Sequence, residues 1–161
     1  RGSMLGGSRP WVGTRAFLCL RTERGGALAE RLVLHFDGGS KGNPGPGYGS
    51  FVLALDGREL QRRRLEFGPT LTNNEAEYQA LIAGLQEALN WLAGQHADPA
   101  GHDIEVRGDS QLVLSQVRGN WKAHEPRMAA LRDAALALLK RFRRYTLRQV
   151  PRRASVRLLG H

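Results

Sequence analysis

The chain contains a single cysteine, Cys19, among 161 residues, so it cannot form an internal disulfide. Such sparse use of cysteine is typical of proteins from a reducing compartment. Its apolar residues are scattered, and no apolar run approaches the roughly 20 residues that a membrane-spanning helix needs. We therefore expect a cytoplasmic protein that acts as a monomer and makes no membrane contact.

Acidic residues are also missing from the end of the sequence, since no Asp or Glu follows Asp133. Residues 140–161 contain eight Lys or Arg, within a whole chain whose net charge is +9. This concentration of positive charge favours a polyanionic partner such as nucleic acid. A solvated basic surface that aids solubility would have the same composition. In either case this segment has no Asp or Glu side chain to offer as a ligand.

Hydrophobic periodicity predicts one domain over residues 31–161, short at its C-terminus, after an N-terminal extension over residues 1–30. Residues 1–3 resemble a tag remnant, and one short strand is expected within the extension, at 16–20. Strands are predicted at 32–36, 48–55, 58–67, 103–107 and 145–150. Helices are predicted at 72–92, 110–117 and 125–142. This order predicts an α/β fold with a mixed sheet flanked by helices.

Two short motifs predict where elements begin and end. Asp56-Gly57 lies between two strand patterns and predicts a tight hairpin. Thr72 and Glu75 have the spacing of a capping box, which predicts that a helix begins at this point. Together they predict a three-stranded meander that leads into a long helix.

Three acids follow the predicted strands or begin the predicted helices: Asp37, Glu77 and Asp109. Taken singly, they are explained as a turn former, an acid that compensates a helix dipole and a helix cap. Taken together, three carboxylates from separate elements can converge into a divalent-metal site of the kind that phosphate chemistry uses. Their order and their Gly and Asn neighbours favour this second interpretation.

The segments around these acids resemble the type 1 ribonuclease H family over residues 32–153. The resemblance is carried by three motifs: Asp37-Gly38-Gly39-Ser40 with the turn Gly42-Asn43-Pro44-Gly45-Pro46-Gly47, then Thr72-Asn73-Asn74-Glu75-Ala76-Glu77, and finally Asp109-Ser110-Gln111. The resemblance implies a five-stranded mixed sheet whose first three strands are antiparallel. It also implies hydrolysis of the RNA strand of an RNA/DNA hybrid with Mg²⁺, or Mn²⁺, held by Asp37, Glu77 and Asp109.

The same resemblance implies contacts with the hybrid. Asn43, Asn74 and Gln111 would reach its minor groove, where 2′-hydroxyl groups distinguish RNA from DNA. Thr72 would help to hold a DNA-strand phosphate. Trp121 would pack either against the DNA backbone or against the helix that follows it. Gly38, Ser40 and Arg152 complete the expected substrate-binding set, with Arg152 in the place of a flexible His or Arg.

The family pattern breaks at Leu159, where the resemblance would put a fourth catalytic Asp. Relatives also continue into a last helix, which we do not expect before His161. Three explanations remain open: a natural variant with weak or metal-selective activity, an ending that is not native, and a protein that only binds hybrids. We favour an impaired ribonuclease, or one in which His161 or the terminal carboxylate compensates.

Two other function classes compete with the ribonuclease. One is a non-catalytic module that binds RNA/DNA hybrids or duplex RNA. The other is a recombinase or transposase of the same fold, which has less support because no target-binding domain is evident.

Overall fold

A computed structural model describes residues 31–160. The expected N-terminal extension and the candidate ligand His161 lie outside the described residues. The strands are β1 (Arg31–Ser40), β2 (Gly45–Leu55), β3 (Arg58–Leu71), β4 (Asp103–Gly108) and β5 (Arg144–Gln149). The helices are α1 (Asn73–Gly94), α2 (Gln111–Arg118), α3 (Pro126–Leu139) and α4 (Arg152–Leu159), with a short 3₁₀ turn at Pro99–Gly101. None of these helices combines the length and apolarity that crossing a membrane requires.

The five strands form one mixed sheet in the order β3-β2-β1-β4-β5. β1 pairs antiparallel with β2, and β2 with β3, whereas β1–β4 and β4–β5 are parallel. The parallel pairs need crossover connections, which the helices between β3 and β5 supply. The sheet that the sequence predicts is therefore confirmed, and β1 lies at its centre.

The core lies between the sheet and the long helix α1. Leu34 and Phe36 of β1 and Val106 of β4 are fully buried on one sheet face, opposite Leu81 and Leu85 of α1. These α1 residues belong to the apolar stripe that the sequence predicts. At the other end of the meander, Asp56 and Gly57 have φ of 52° and 80°, as a tight two-residue hairpin turn requires.

The first strand is longer than the sequence predicts. We expected Asp37-Gly38-Gly39 to end it, but β1 continues to Ser40, which pairs with Gly47 of β2. Ladder hydrogen bonds to β2 offset the weak strand preference of the two glycines. Asp37 therefore lies inside a central strand, where it pairs with Ser50 of β2.

The last helix, α4, is absent from the sequence prediction. Its first residue follows Pro151, and it ends at Leu159; the next residue, Gly160, has a φ of 83°, the left-handed conformation that terminates many helices. Only two of its residues, Ser155 and Leu159, are buried, and they lie one turn apart on one face. A stripe this short is too weak a periodic signal to predict a helix.

Polar contacts hold α4 against the sheet. The Ser155 hydroxyl lies 2.9 Å from His35 Nε2 of β1. At the other end of the helix, Arg62 donates to the Leu158 carbonyl at 2.7 Å and Arg64 to the Gly160 carbonyl at 3.0 Å. These carbonyls belong to the helix C-terminus, where unsatisfied acceptors and the helix dipole favour a cation.

Replacing both clamping arginines, Arg62→Gln with Arg64→Gln, should loosen α4 selectively, because each hydrogen bond contributes about 1 kcal/mol. We expect amide protection in α4 to fall about thirtyfold in hydrogen exchange, with little change in α1. Arg63 lies between them on the strand and contacts Glu87 of α1 instead, at 3.5 Å. Arg63→Gln is therefore the control, and equal loosening by Arg63→Gln would contradict the clamp.

Candidate metal centre and nucleic-acid interface

Three carboxylates converge at one edge of the sheet. Asp37 comes from β1, Glu77 from the second turn of α1, and Asp109 from the residue after β4. One side-chain oxygen from each lies within 4.8 Å of the other two. Asp37 and Glu77 are buried, and the Asp109 side chain is only 7% exposed. The convergence predicted from sequence is therefore present, although Asp37 lies within its strand and not at its end.

Close packing between β1 and α1 brings Glu77 to Asp37. A Cβ atom on Gly38 would lie 2.5 Å from the Ala76 carbonyl oxygen, a distance that real Cβ atoms do not show. Only glycine lets the strand backbone approach the helix backbone so closely. Gly38, predicted as a substrate contact, lies beneath the first turns of α1.

Capping hydrogen bonds fix the start of α1. The Glu75 amide donates to the Thr72 hydroxyl at 3.1 Å, and the Thr72 amide donates to the Glu75 carboxylate at 2.9 Å. This reciprocal pair is the predicted capping box. Two residues further on, Glu77 has a fixed backbone from which to reach the cluster.

Burial and like charge oppose ionisation of the cluster. Burial, and after it repulsion from the adjacent Asp109 carboxylate, raise the pKa of Asp37 to about 6. The pKa of Glu77 is raised to about 8, first by burial and then by repulsion from Asp109 and Asp37, while the hydrogen bond from the Ser110 hydroxyl acts in the opposite direction. Arg152 at the start of α4 lies 3.4 Å from Asp109 Oδ2. One guanidinium cannot balance three carboxylates, so the cluster fits a divalent cation.

The chemistry of the donors narrows the choice of cation. All three ligands are carboxylate oxygens, which suit hard ions such as Mg²⁺ or Mn²⁺ and are a poor set for zinc. The described residues thus fit a divalent-metal centre with a basic residue at its rim.

Comparisons with known proteins agree with this geometry. The family model described as "Reverse transcriptase-like" matches residues 35–156. Ribonuclease HI of Halobacterium salinarum is 40% identical over 142 residues, which cover 86% of this chain and 63% of the relative. The chain therefore spans less than two thirds of that relative's length.

Comparison with solved structures also finds ribonucleases H. RNase H1 of Halobacterium salinarum superposes with a TM-score of 0.70 at 38% identity, covering 79% of this chain and 90% of that one. The chain belongs to the type 1 ribonuclease H family. LC11-RNase H1, solved in complex with an RNA/DNA hybrid, superposes with a TM-score of 0.69 at 29% identity, covering 78% of this chain and 89% of its own.

In this ribonuclease H-family chain, the turn after β1 is tied to the start of α1. Asn73 links the two, because its side-chain oxygen accepts from the Ser40 amide at 2.8 Å and its own amide donates to the Asn43 side chain at 3.0 Å. Ser40 also donates to the Gly42 carbonyl. Sequence reasoning gave Asn73 no role, although it lies within the second motif. Its position between two predicted site residues was the available signal.

The other predicted contact residues lie at the same edge. Thr72 and Asn74 flank the α1 N-terminus and are half-buried, and Gln111 is exposed at the first position of α2. Trp121 is 45% exposed, which excludes full burial in the core and leaves its ring accessible. Arg152 is 74% exposed along its side chain while touching Asp109.

A buried hydrogen bond connects the two helices that present these residues. The Tyr78 hydroxyl of α1 donates to Gln116 of α2 at 2.7 Å, and Gln116 donates to the Lys122 carbonyl at 3.3 Å. This chain of bonds fixes the loop around Trp121 relative to α1. Sequence reasoning missed it, because Tyr78 and Gln116 are 38 residues apart.

Leu159, at the position of the expected fourth acid, is 3% exposed and lies on the same face of α4 as Arg152 and Ser155. The carbonyl of the next residue, Gly160, accepts a hydrogen bond from Arg64 of β3. Arg64 pairs with Ser50 of β2, and Ser50 pairs with Asp37 of β1, so these three residues lie in one row across the sheet. An apolar side chain therefore lies on the helix face that packs against β1.

We predict that the metal-free protein loses stability as pH rises. The pKa values of Asp37 and Glu77 are raised in the folded state, so the unfolded chain releases these protons more readily. The contribution of these two protonated carboxyl groups to stability is thus fully present below about pH 4 and is lost as pH rises through about 6 to 8. The loss should be on the order of 2–4 kcal/mol in thermal melts with a chelator.

Adding Mg²⁺ should restore more stability at pH 8 than at pH 5, because only the ionised cluster binds the cation. Asp37→Asn combined with Glu77→Gln should flatten the pH profile. Asp133 is the matched control, since its carboxylate is 66% exposed on α3. A profile that Asp133→Asn flattens equally would contradict the assignment.

Proposed function

We propose that this chain is an endoribonuclease that hydrolyses the RNA strand of RNA/DNA hybrids by a two-metal-ion mechanism. The observation that carries the proposal is the set of three carboxylates within 4.8 Å of one another, two of them buried and the third partly buried, beside exposed and half-buried polar side chains. The solved complex of the similar LC11-RNase H1 with an RNA/DNA hybrid supports this choice of substrate.

Asp37, Glu77 and Asp109 would hold the divalent ions, with Mg²⁺ as the expected ion and Mn²⁺ as an alternative. When bound, such a pair activates the attacking water and stabilises the departing oxygen of an in-line displacement. The protein supplies a site whose geometry is fixed before the ions arrive, because β1, α1 and β4 are mutually packed. Arg152 adds a positive charge beside Asp109, where a substrate phosphate would enter.

Substrate selection rests on the residues around the cluster. Asn43, Asn74 and Gln111 offer amide groups that can both donate to and accept from a 2′-hydroxyl. Thr72 lies at the α1 N-terminus, where exposed amides favour a phosphate. Trp121 presents an accessible ring to the DNA backbone, and Gly38 and Ser40 bring the β1 backbone close to the RNA strand. We further propose that the protein acts as a cytoplasmic monomer.

A second function has one observation in its favour. With buried Leu159 in place of a fourth acid, one of the two cations would be held mainly by Asp37 and the substrate. The ribonuclease would then be impaired, and in the extreme the domain would bind hybrids or duplex RNA without cleaving them. The two functions differ in one measurable respect, which is whether the protein cleaves the hybrid that it binds.

The cleavage test uses a labelled RNA/DNA hybrid with Mg²⁺ or Mn²⁺. Asp37→Asn should lower kcat/KM at least about a hundredfold, equivalent to about 2.7 kcal/mol of transition-state stabilisation. A chelator should abolish cleavage, and duplex DNA should not be cut. Asp133→Asn serves as the control for removal of one acid.

Two results would count against the proposal. Folded protein that binds hybrid but cleaves nothing with either ion would establish the binding module. Equal affinity for duplex DNA and for hybrid would exclude both functions, because neither would be reading a 2′-hydroxyl.

Leu159→Asp should raise Mg²⁺-dependent cleavage by adding the missing carboxylate. The same change should lower the free energy of unfolding without metal by about 2–4 kcal/mol, since a buried leucine is lost and an acid is buried. Leu158, its neighbour, is 38% exposed, so Leu158→Asp is a control with the same charge change. An unchanged rate for folded Leu159→Asp would mean that position 159 does not face the metal centre.

A further inference from the structure

A buried hydrogen bond joins α4 to the central strand beside the metal centre. The Ser155 hydroxyl of α4 lies 2.9 Å from Nε2 of His35 on β1. Ser155 is fully buried, and His35 is 6% exposed. Both groups are polar, so burying them costs free energy unless they are hydrogen-bonded. The pair therefore favours the one position of α4 on the sheet in which this bond is made.

The hydrogen bond lies directly behind the metal centre. His35 precedes Asp37 by two residues on β1, so both side chains leave the same face of the sheet, about 7 Å apart. His35 also pairs in register with Arg107 of β4, which precedes Asp109 by two residues. Ser155 thus meets the sheet two residues behind a carboxylate on each of the two neighbouring strands.

The same helix face carries Arg152 to the metal centre. Arg152 precedes Ser155 by three residues, which is nearly one helical turn, so the two side chains project from the same side of α4. Arg152 Nη1 lies 3.4 Å from Asp109 Oδ2. One rotation of the helix about its axis therefore satisfies both contacts, Ser155 with His35 and Arg152 with Asp109.

The other contacts of α4 specify this rotation less sharply. Leu159 is the second buried residue of the helix, and its apolar contacts are non-directional. At the C-terminal end, backbone carbonyls accept from Arg62 and Arg64, and helix carbonyls point along the axis. A side-chain hydrogen bond such as that of Ser155 is directed across the axis, so it resists rotation of the helix.

We propose that the hydrogen bond between His35 and Ser155 positions Arg152 for the reaction, by fixing the rotation of α4 at the metal centre. The proposal rests on the proposed function, in which Arg152 meets a substrate phosphate beside Asp109. His35 and Ser155 are positioning residues, because they act through Arg152 and not on the substrate.

Removing one partner should displace Arg152. The remaining polar group would be buried without its hydrogen bond, and α4 would have to move or admit a water molecule to satisfy it. A displacement of about 1 Å is enough to slow a reaction that depends on alignment. The hydrogen bonds of Arg62 and Arg64 at the other end of α4 are exposed, so water can replace them without such a shift.

A double-mutant cycle tests the proposal on cleavage of a labelled RNA/DNA hybrid. Ser155→Ala should lower kcat/KM about fivefold, and Arg152→Gln about tenfold. The combined variant should lie within about twofold of Arg152→Gln, because the residue through which Ser155 acts is already gone. If the hydrogen bond only stabilised the fold, the two losses would multiply.

Variants of the other partner provide a rescue and a control. His35→Leu should cost as much as Ser155→Ala, whereas His35→Gln should stay within about twofold of the unaltered protein, because its amide can pair with the Ser155 hydroxyl. Val156, the next residue of α4, is 43% exposed, so Val156→Ala should also stay within about twofold. Ser155→Ala removes a single oxygen atom, so the cycle does not depend on whether His35→Leu folds.

Hybrid affinity in the presence of a chelator gives a readout without cleavage. Fluorescence anisotropy should show about a threefold loss for Ser155→Ala and for Arg152→Gln, and no further loss when the two are combined. This measurement separates the positioning role from the proposed function. If the unaltered chain binds hybrid without cleaving it, the ribonuclease proposal fails, and the cycle in affinity still decides the role of Ser155.

Three results would overturn the positioning role while leaving the ribonuclease intact: losses that multiply in the combined variant, a His35→Gln protein as slow as His35→Leu, or an equal loss in Val156→Ala. An unaltered chain that neither cleaves nor binds the hybrid would overturn the proposed function and the positioning role together.

Discussion

Like-charge repulsion among three carboxylates is the constraint on which the rest of the structure depends. One carboxylate oxygen each of Asp37, Glu77 and Asp109 lies within 4.8 Å of the other two in a largely buried site. Keeping these groups together without a metal therefore costs free energy of folding. Packing elsewhere must offset that cost. It does so where the backbones of β1 and α1 meet at Gly38, and where α1 is locked by its capping box and by the bond between Tyr78 and Gln116.

The same constraint explains why the centre needs a rigid frame. If α1 could slide by one turn, Glu77 would move away and the repulsion would be relieved without a cation. The buried apolar contacts between α1 and β1 prevent this, because shifting a close-packed interface loses contacts along its whole length. The protein therefore presents a preformed site, in which protons at lower pH or a divalent ion at higher pH would remove the excess negative charge.

Much of this arrangement could be predicted from the sequence, because the signals are local. The Asp56-Gly57 turn, the capping box at Thr72 and the period of α1 each depend on neighbouring residues, and each was confirmed. The extension of β1 past Asp37 could not be predicted, since it depends on pairing with a glycine-rich strand. Nor could α4, whose eight residues bury only two side chains. Contacts across long separations, such as Tyr78 with Gln116, leave no periodic trace.

The unpredicted helix α4 also decides how the charge at the centre is balanced. Its face carries Arg152 against Asp109 at one end and buried Leu159 at the other. A fourth acid on that face would add to the repulsion that the metal-free fold must withstand, whereas leucine adds apolar contact. The arginine brought by the same helix lowers the negative charge further. Leu159 thus adds apolar contact to the metal-free domain and offers no oxygen ligand to a cation.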